Sequence, residues 1–254
     1  KKLSGHQFYA SITILFLSFC TEFYIHFSTG ALENSLSFLV LTVFGISIFS
    51  KNNLIETGLL PFSIALAFLT RYDFFLIVFP VFIYLLNKYR IKSLKIIFTA
   101  GIPIVLWLIF SLLYFGSIFP NSFYMKAGFL GVDYSIAYLV KNTIRSPFLV
   151  LLLALGITSA YRVNKPLFIG IVMYFLYTVY VTDYMLGRFW TNLIPLCLIT
   201  TIQYLSQSDR KIISKEHILT LGILFSFISF CFIGRNKFGN AIDLANERKY
   251  YTSP

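Results

Sequence analysis

The chain has 254 residues, of which 57% are hydrophobic, 19% aromatic and only 12% charged, with a formal net charge of +11 and a mean hydropathy of +0.78. A soluble domain carries about 25% charged residues, so this composition lacks the polar surface a water-soluble globule needs and indicates an all-α, polytopic transmembrane helical bundle. The positive charge does not mark a nucleic-acid binder, because the lysines and arginines fall in gaps between apolar runs and not along a stripe.

A spanning helix takes about 20 mostly apolar residues. Nine runs qualify as candidates, near residues 8–26, 31–50, 57–70, 74–88, 96–116, 147–161, 166–181, 191–206 and 218–234. Residues 1–234 are thus expected to form one multi-span domain, and 235–254 an external tail or the start of a further external segment. The first residues are Lys1 and Lys2, not methionine, so a missing N-terminal part is expected. Cytoplasmic loops carry the excess of Lys and Arg. With the N-terminus inside, inner segments hold 12 of the 21 cations and outer segments the other 9. Of the acidic residues, Glu22, Glu33, Asp73, Asp133, Asp183, Asp243 and Glu247 then lie outside, and only Glu56, Asp209 and Glu216 inside. Mixed charge on the outer face reads as a site, and basic inner loops read as topology signals.

In chain order, Glu33 begins the second run, where a helix N-terminus favours a negative charge. The third run is too short for the full hydrocarbon core and turns through Arg71, Tyr72 and Asp73. Charges at that depth pair or bind something: either Arg71 and Asp73 pin a helical hairpin, or they line a substrate cavity. The segment 117–146 interleaves Phe119, Phe123, Tyr124, Phe129, Tyr134 and Tyr138 with Lys126, Asp133, Lys141 and Arg145. Its second half, with Asp133 as N-cap, has an apolar face of Ile136, Leu139, Val140 and Ile144, predicting a helix in the interface plane. Asp183, Tyr184, Gly187 and Arg188 join two further short runs. Gly187 permits a tight turn, and Arg188 points either inward or to the head groups, with Trp190 as a belt residue. Cys20, Cys197 and Cys231 are isolated in apolar runs, and His6, His26 and His217 stand alone. Neither a disulfide framework, a zinc site nor a nucleophilic triad is indicated. Outer carboxylates leave a divalent metal open.

The outer segments carry a resemblance. Tyr114-Phe115-Gly116-Ser117-Ile118-Phe119-Pro120-Asn121-Ser122-Phe123-Tyr124-Met125-Lys126 resembles the YYGxxxPNTYYAK signature of polyprenyl-phosphate-dependent GT-C glycosyltransferases, in particular membrane arabinofuranosyltransferases of the AftB type. Asp183 to Phe189 is similar to that family's GGDxxxGRF segment, with Val181 and Thr182 in place of the glycines. Thr70-Arg71-Tyr72-Asp73 resembles its TRPDG turn, with Tyr72 for proline and Phe74 for glycine. Ala31-Leu32-Glu33-Asn34 resembles GLET, and Glu247-Arg248-Lys249-Tyr250-Tyr251 resembles DERxYY. The matches keep the family's order over residues 31–251.

The resemblance implies a multi-pass protein of the cell membrane, most simply a bacterial inner membrane, with an outer-face cavity. It implies a lipid-linked sugar donor and an acceptor hydroxyl on an envelope glycan, lipid or protein, joined in one inverting displacement. Arg71, Arg188 and Lys126 are the candidates for the donor phosphate. Glu33, Asp73, Asn121, Tyr124, Asp183 and Tyr184 are candidates for sugar or acceptor, with Glu247, Arg248, Tyr250 and Tyr251 forming a tail motif. Arginine suits the phosphate because its charge-assisted hydrogen bonds strengthen where water is excluded. The family's catalytic aspartate lies in a first external loop that no segment here matches, so the general base is expected upstream of Lys1 and the fragment alone is expected to be inactive. A transporter or flippase of lipid-linked sugars would use a similar cavity, but such proteins show internal repeats, and none is evident. A scaffold subunit of an envelope complex is the remaining alternative.

Overall fold

The computed structural model describes residues 33–50, 52, 55–89, 93–118, 132–145, 147–181 and 188–207. All regular elements among them are helical: α1 (Asn34–Ile48), α2 (Leu60–Thr70), α3 (Phe75–Lys88), α4 (Ser93–Phe115), α5 (Val132–Arg145), α6 (Pro147–Val163), α7 (Lys165–Val181), the single turn α8 (Arg188–Thr191) and α9 (Ile194–Gln207). A π turn, Ile55–Leu59, leads into α2, and a 3-10 turn, Tyr72–Phe74, separates α2 from α3.

The chain thus bears out the all-α expectation, while the nine-span count does not emerge from it. The runs 8–26 and 218–234 lie outside the described residues, and the other seven are helical. By length and composition, one described helix suffices to cross a membrane, Leu94–Phe115. The others are shorter because their apolar runs are themselves short in the sequence, 57–70, 74–88, 147–161 and 166–181 among them. The described part of the second run forms α1 from Asn34, and the 191–206 run is split at Asn192 and Leu193 into α8 and α9.

Local chemistry explains the breaks. Pro61 enters α2 in its first turn, where a missing N–H costs nothing. At the other end Arg71 turns to an extended backbone, φ −152° and ψ 125°, and ends the helix. Asn164 Oδ1 accepts the Leu167 N–H at 3.0 Å and starts α7 immediately after α6. The end of α4 requires a left-handed residue, and Gly116 supplies it with φ 70° while donating its N–H to Leu112 O. The glycine of the Tyr-Phe-Gly motif therefore has a structural reason: it closes the long helix.

Packing runs in a circuit, α1 on α2, α2 on α3, α3 on α7, α7 on α6, α6 on α9 and α9 back on α1, with α4 against α2. Leu41, Phe44, Ile64, Ile77, Leu153, Ile171, Tyr174, Leu193 and Leu196 belong to a continuous core inside it, formed among the described residues. Two seams are closed by glycine. A Cβ on Gly156 would collide with Cys197 Cβ, and one on Gly170 would collide with the Ile77 carbonyl oxygen. Backbones approach at these points more closely than any side chain permits, the small-residue packing usual between helices in lipid.

The surface is apolar where a soluble protein's would be polar. Along α4, Leu94, Phe98, Leu106, Leu113 and Phe115 are all exposed. Helix α5 directs Leu139 toward the core and leaves Ile136, Val140 and Ile144, one turn apart, exposed. The helix starts at Val132, so Asp133 is its second residue and not its N-cap.

Candidate functional site

Four charged side chains, the outermost of them 155 positions apart in the chain, meet at one end of the bundle. Glu33 stands at the N-cap of α1, Arg71 and Asp73 lie in the break between α2 and α3, and Arg188 opens α8. Because α1 and α3 lead away from this end and α2 runs toward it, their termini converge there.

Arg71 is the hub. Its Nε donates to Asp73 Oδ1 at 3.0 Å and its Nη2 to Asp73 Oδ2 at 2.8 Å, a two-pronged pair. Its Nη1 donates to Glu33 Oε1 at 2.8 Å. The extended backbone at Arg71 followed by the 3-10 turn folds Asp73 back beneath the guanidinium two residues upstream. That guanidinium also lies 5.0 Å from the Phe189 ring centroid and 5.5 Å from that of Phe74, so two aromatic faces hold it from the side. Burial opposes the Arg71 cation, but the carboxylates of Asp73 and Glu33 outweigh it and raise its pKa above the ordinary value. The side chain is 8% exposed, and that of Asp73 is 11% exposed.

Arg188 completes the group. Its Nη2 donates to the same Glu33 Oε1 at 2.9 Å, and its side chain is 14% exposed while that of Glu33 is 47% exposed. Of the two directions open to Arg188, the inward one is therefore realised. Trp190 is no belt residue either: it is 2% exposed, and its Nε1 donates to Thr178 Oγ1 at 3.2 Å. Glu33 occupies the position expected from the helix dipole, yet it makes no side-chain cap. Its carboxylate is directed to the arginines, and its backbone carbonyl receives the N–H and hydroxyl of Ser37.

The cluster sits on a polar floor that sequence reasoning does not identify. Tyr174 is fully buried and donates to Phe189 O at 3.5 Å, while Asn192 Nδ2 donates to the Tyr174 hydroxyl at 3.4 Å. Asn34, next to Glu33, is also fully buried, and its amide nitrogen and oxygen find no hydrogen-bond partner among the described residues. On the α4 side, Trp107 Nε1 donates to the Tyr72 hydroxyl at 2.9 Å and ties the long helix to the turn that carries Arg71 and Asp73. The two aromatic faces on Arg71 have a signal in the sequence, since Phe74 and Phe189 directly follow Asp73 and Arg188.

Of the residues expected to form a site, Glu33, Arg71, Asp73 and Arg188 are thus brought into contact. Lys126, Asn121, Tyr124, Asp183, Tyr184, Glu247, Arg248, Tyr250 and Tyr251 lie outside the described residues. A pocket of about 460 Å³ opens at the opposite end of the bundle, lined by Ile46, Ser47, Phe49, Ser50, Leu59, Ile199, Ile202 and Gln203. Among the described residues that line it, none is ionisable and none belongs to the expected site. Among the described residues there is no group of three or more His, Cys, Asp or Glu able to hold a metal. In Glu33 and Asp73, both carboxylates of the cluster already accept from guanidinium. No family model, curated protein or solved structure matches the chain.

Proposed function

We propose that the chain is the membrane-embedded part of a glycosyltransferase that moves a sugar from a polyprenyl-phosphate donor to an acceptor hydroxyl of an envelope glycan, lipid or protein, on the non-cytoplasmic face. The single observation that carries the reading is the convergence of Arg71 and Arg188 on one oxygen position at one end of an apolar bundle. An anionic phosphate attached to a long hydrocarbon needs such an end: cations at the rim and an apolar flank beside them.

Two further features support the setting. The exposed side chains of α4 and the Ile136, Val140 and Ile144 stripe of α5 suit lipid contact, since apolar patches of that extent are untenable in water. Lys88, Lys95, Arg162 and Lys165 lie at the ends of α3, α4, α6 and α7 that face away from the cluster, while Lys141 and Arg145 in the last part of α5 lie on the cluster's side with Arg71, Arg188, Glu33 and Asp73, so the cluster end carries both signs and the basic far end fits a cytoplasmic side. Helices of 11 to 17 residues rise only about 16 to 26 Å at about 1.5 Å per residue, so several spans would leave the cluster below the outer surface, in the plane of a lipid phosphate.

In this reading Asp73 fixes Arg71 as an immobile donor, and Arg188 supplies the second guanidinium. Together they offset the negative charge that grows on the phosphate as the glycosidic bond breaks. The resemblance adds Lys126 to the phosphate and Asn121, Tyr124, Asp183 and Tyr184 to the sugar or acceptor, and assigns removal of the acceptor proton to a carboxylate outside this chain. The test is reconstitution of the full-length protein in vesicles containing radiolabelled polyprenyl-phosphate sugars and an envelope acceptor fraction. Label moving into the acceptor is the expected result. Label that only changes leaflet would make the protein a flippase, and label that does neither would leave a scaffold.

A further inference from the structure

We infer that the point held by Glu33 Oε1 is an anion site built by two arginines, and that Glu33 is its resident counter-anion, displaced when one oxygen of a phosphate ester takes the same point. The inference deepens the proposed reading by giving the order of events at the site, and rests on that reading only for the identity of the phosphate as a lipid headgroup.

Three observations carry it. Arg71 Nη1 and Arg188 Nη2 lie 2.8 and 2.9 Å from a single oxygen, and a phosphate oxygen has the size and acceptor character of a carboxylate oxygen. The two carboxylates differ in how firmly they are held. Asp73 is gripped by both prongs of Arg71 and is 11% exposed, whereas Glu33 touches each arginine through one oxygen and is 47% exposed. Finally, the charges count in favour of exchange. Among the described residues two guanidinium cations face two carboxylates, so these four groups balance at rest. A phosphodiester monoanion added beside Glu33 would leave the site negative, while the same anion in place of Glu33 keeps it neutral.

The motion required is small. The Glu33 backbone is fixed by two hydrogen bonds from Ser37 to its carbonyl, so only the side chain must rotate, toward the solvent it already half faces. Arg71 stays where it is, between Phe74 and Phe189 and locked to Asp73. Glu33 therefore keeps both guanidinium groups aligned and neutralised until the phosphate arrives.

The test is equilibrium binding of farnesyl phosphate to the full-length protein in nanodiscs of zwitterionic lipid at about pH 5, below the second phosphate ionisation near about pH 6 so that the ester is a monoanion, with inorganic phosphate and farnesol as headgroup-only and tail-only probes. Removing the internal competitor raises the competent fraction, so Glu33→Gln should tighten farnesyl phosphate at least about fivefold. Glu33→Asp, which keeps the charge but withdraws it from the arginines, should tighten it by less, and Arg188→Gln should weaken it. Tightening of farnesyl phosphate alone marks a lipid headgroup site, and tightening of inorganic phosphate as well marks a site for phosphate with or without a tail. Equal or weaker binding by folded Glu33→Gln or Glu33→Asp, or binding of farnesol as strong as that of its phosphate, overturns the inference. Sugar transfer measured on the same preparations separates the two claims. Tightening without transfer in the wild type sinks the enzyme reading alone, and transfer without tightening in the variants sinks the anion exchange alone.

Discussion

Glu33 and Arg188 are 155 positions apart in the chain and 2.9 Å apart in space. That contact ties the start of α1 to the turn before α9, two helices that also pack along their length. Because Glu33 is half-exposed, the pair is worth less than a buried one, about 0.5 to 1 kcal/mol. A double-mutant cycle of Glu33→Gln and Arg188→Gln, read by unfolding in mixed micelles, should return a coupling of that size. Strict additivity of the two substitutions would mean that the contact does not exist in the membrane.

Arg71 is expected to behave differently. Removing a buried guanidinium strands Asp73 in an apolar setting, so Arg71→Met should destabilise the protein by about 3 kcal/mol or more. The double substitution Arg71→Met with Asp73→Leu removes both charges together and should recover most of that loss. If the double variant is as unstable as the single one, Arg71 holds the bundle by something other than its pairing with Asp73.

The α3 and α7 seam predicts a sharp contrast between glycines. Gly170→Ala drives a methyl into the Ile77 backbone, which cannot rotate away, and should cost about 2 kcal/mol. Gly101→Ala meets nothing within 4 Å and should be neutral or slightly stabilising, because alanine is the better helix former. Thermal denaturation of the two variants in one detergent is enough to compare them, and equal midpoints would contradict the close approach at Gly170.

Trp190 is buried beneath Arg188 with its indole N–H on Thr178. Trp190→Phe keeps an aromatic ring but loses that bond and some volume, and should lower stability by about 1 to 2 kcal/mol. Tryptophan fluorescence distinguishes this from a belt role. The Trp190 emission, taken as the difference between the wild type and Trp190→Phe so that Trp107 cancels, should resist quenching by aqueous acrylamide, whereas ready quenching would place it at the head groups.

The helical segments and the charged members of the cluster are legible in the amino-acid sequence, because apolar runs broken by single charges are conspicuous in so hydrophobic a chain. Arg71 with Asp73 can be read from adjacency alone. Their junction with Glu33 and Arg188 cannot, since nothing local in a sequence reports a contact across 155 positions. The direction of Arg188 is ambiguous in sequence for a related reason: snorkelling outward and pairing inward call for the same flanking residues, and only the position of Glu33 decides between them. Within the polar floor, Tyr174 leaves no trace because it stands inside the apolar stretch of α7, and although Asn34 and Asn192 have polar neighbours, nothing in the sequence tells a buried asparagine at a helix end from one that faces solvent.

The most direct test of the account is sugar transfer by the full-length protein carrying Arg188→Ala, compared with the wild type at matched membrane expression. Transfer should fall by at least about tenfold, about 1.4 kcal/mol of transition-state stabilisation, with insertion and folding intact. Undiminished transfer by a normally folded Arg188→Ala protein would remove the two-arginine cluster from the chemistry.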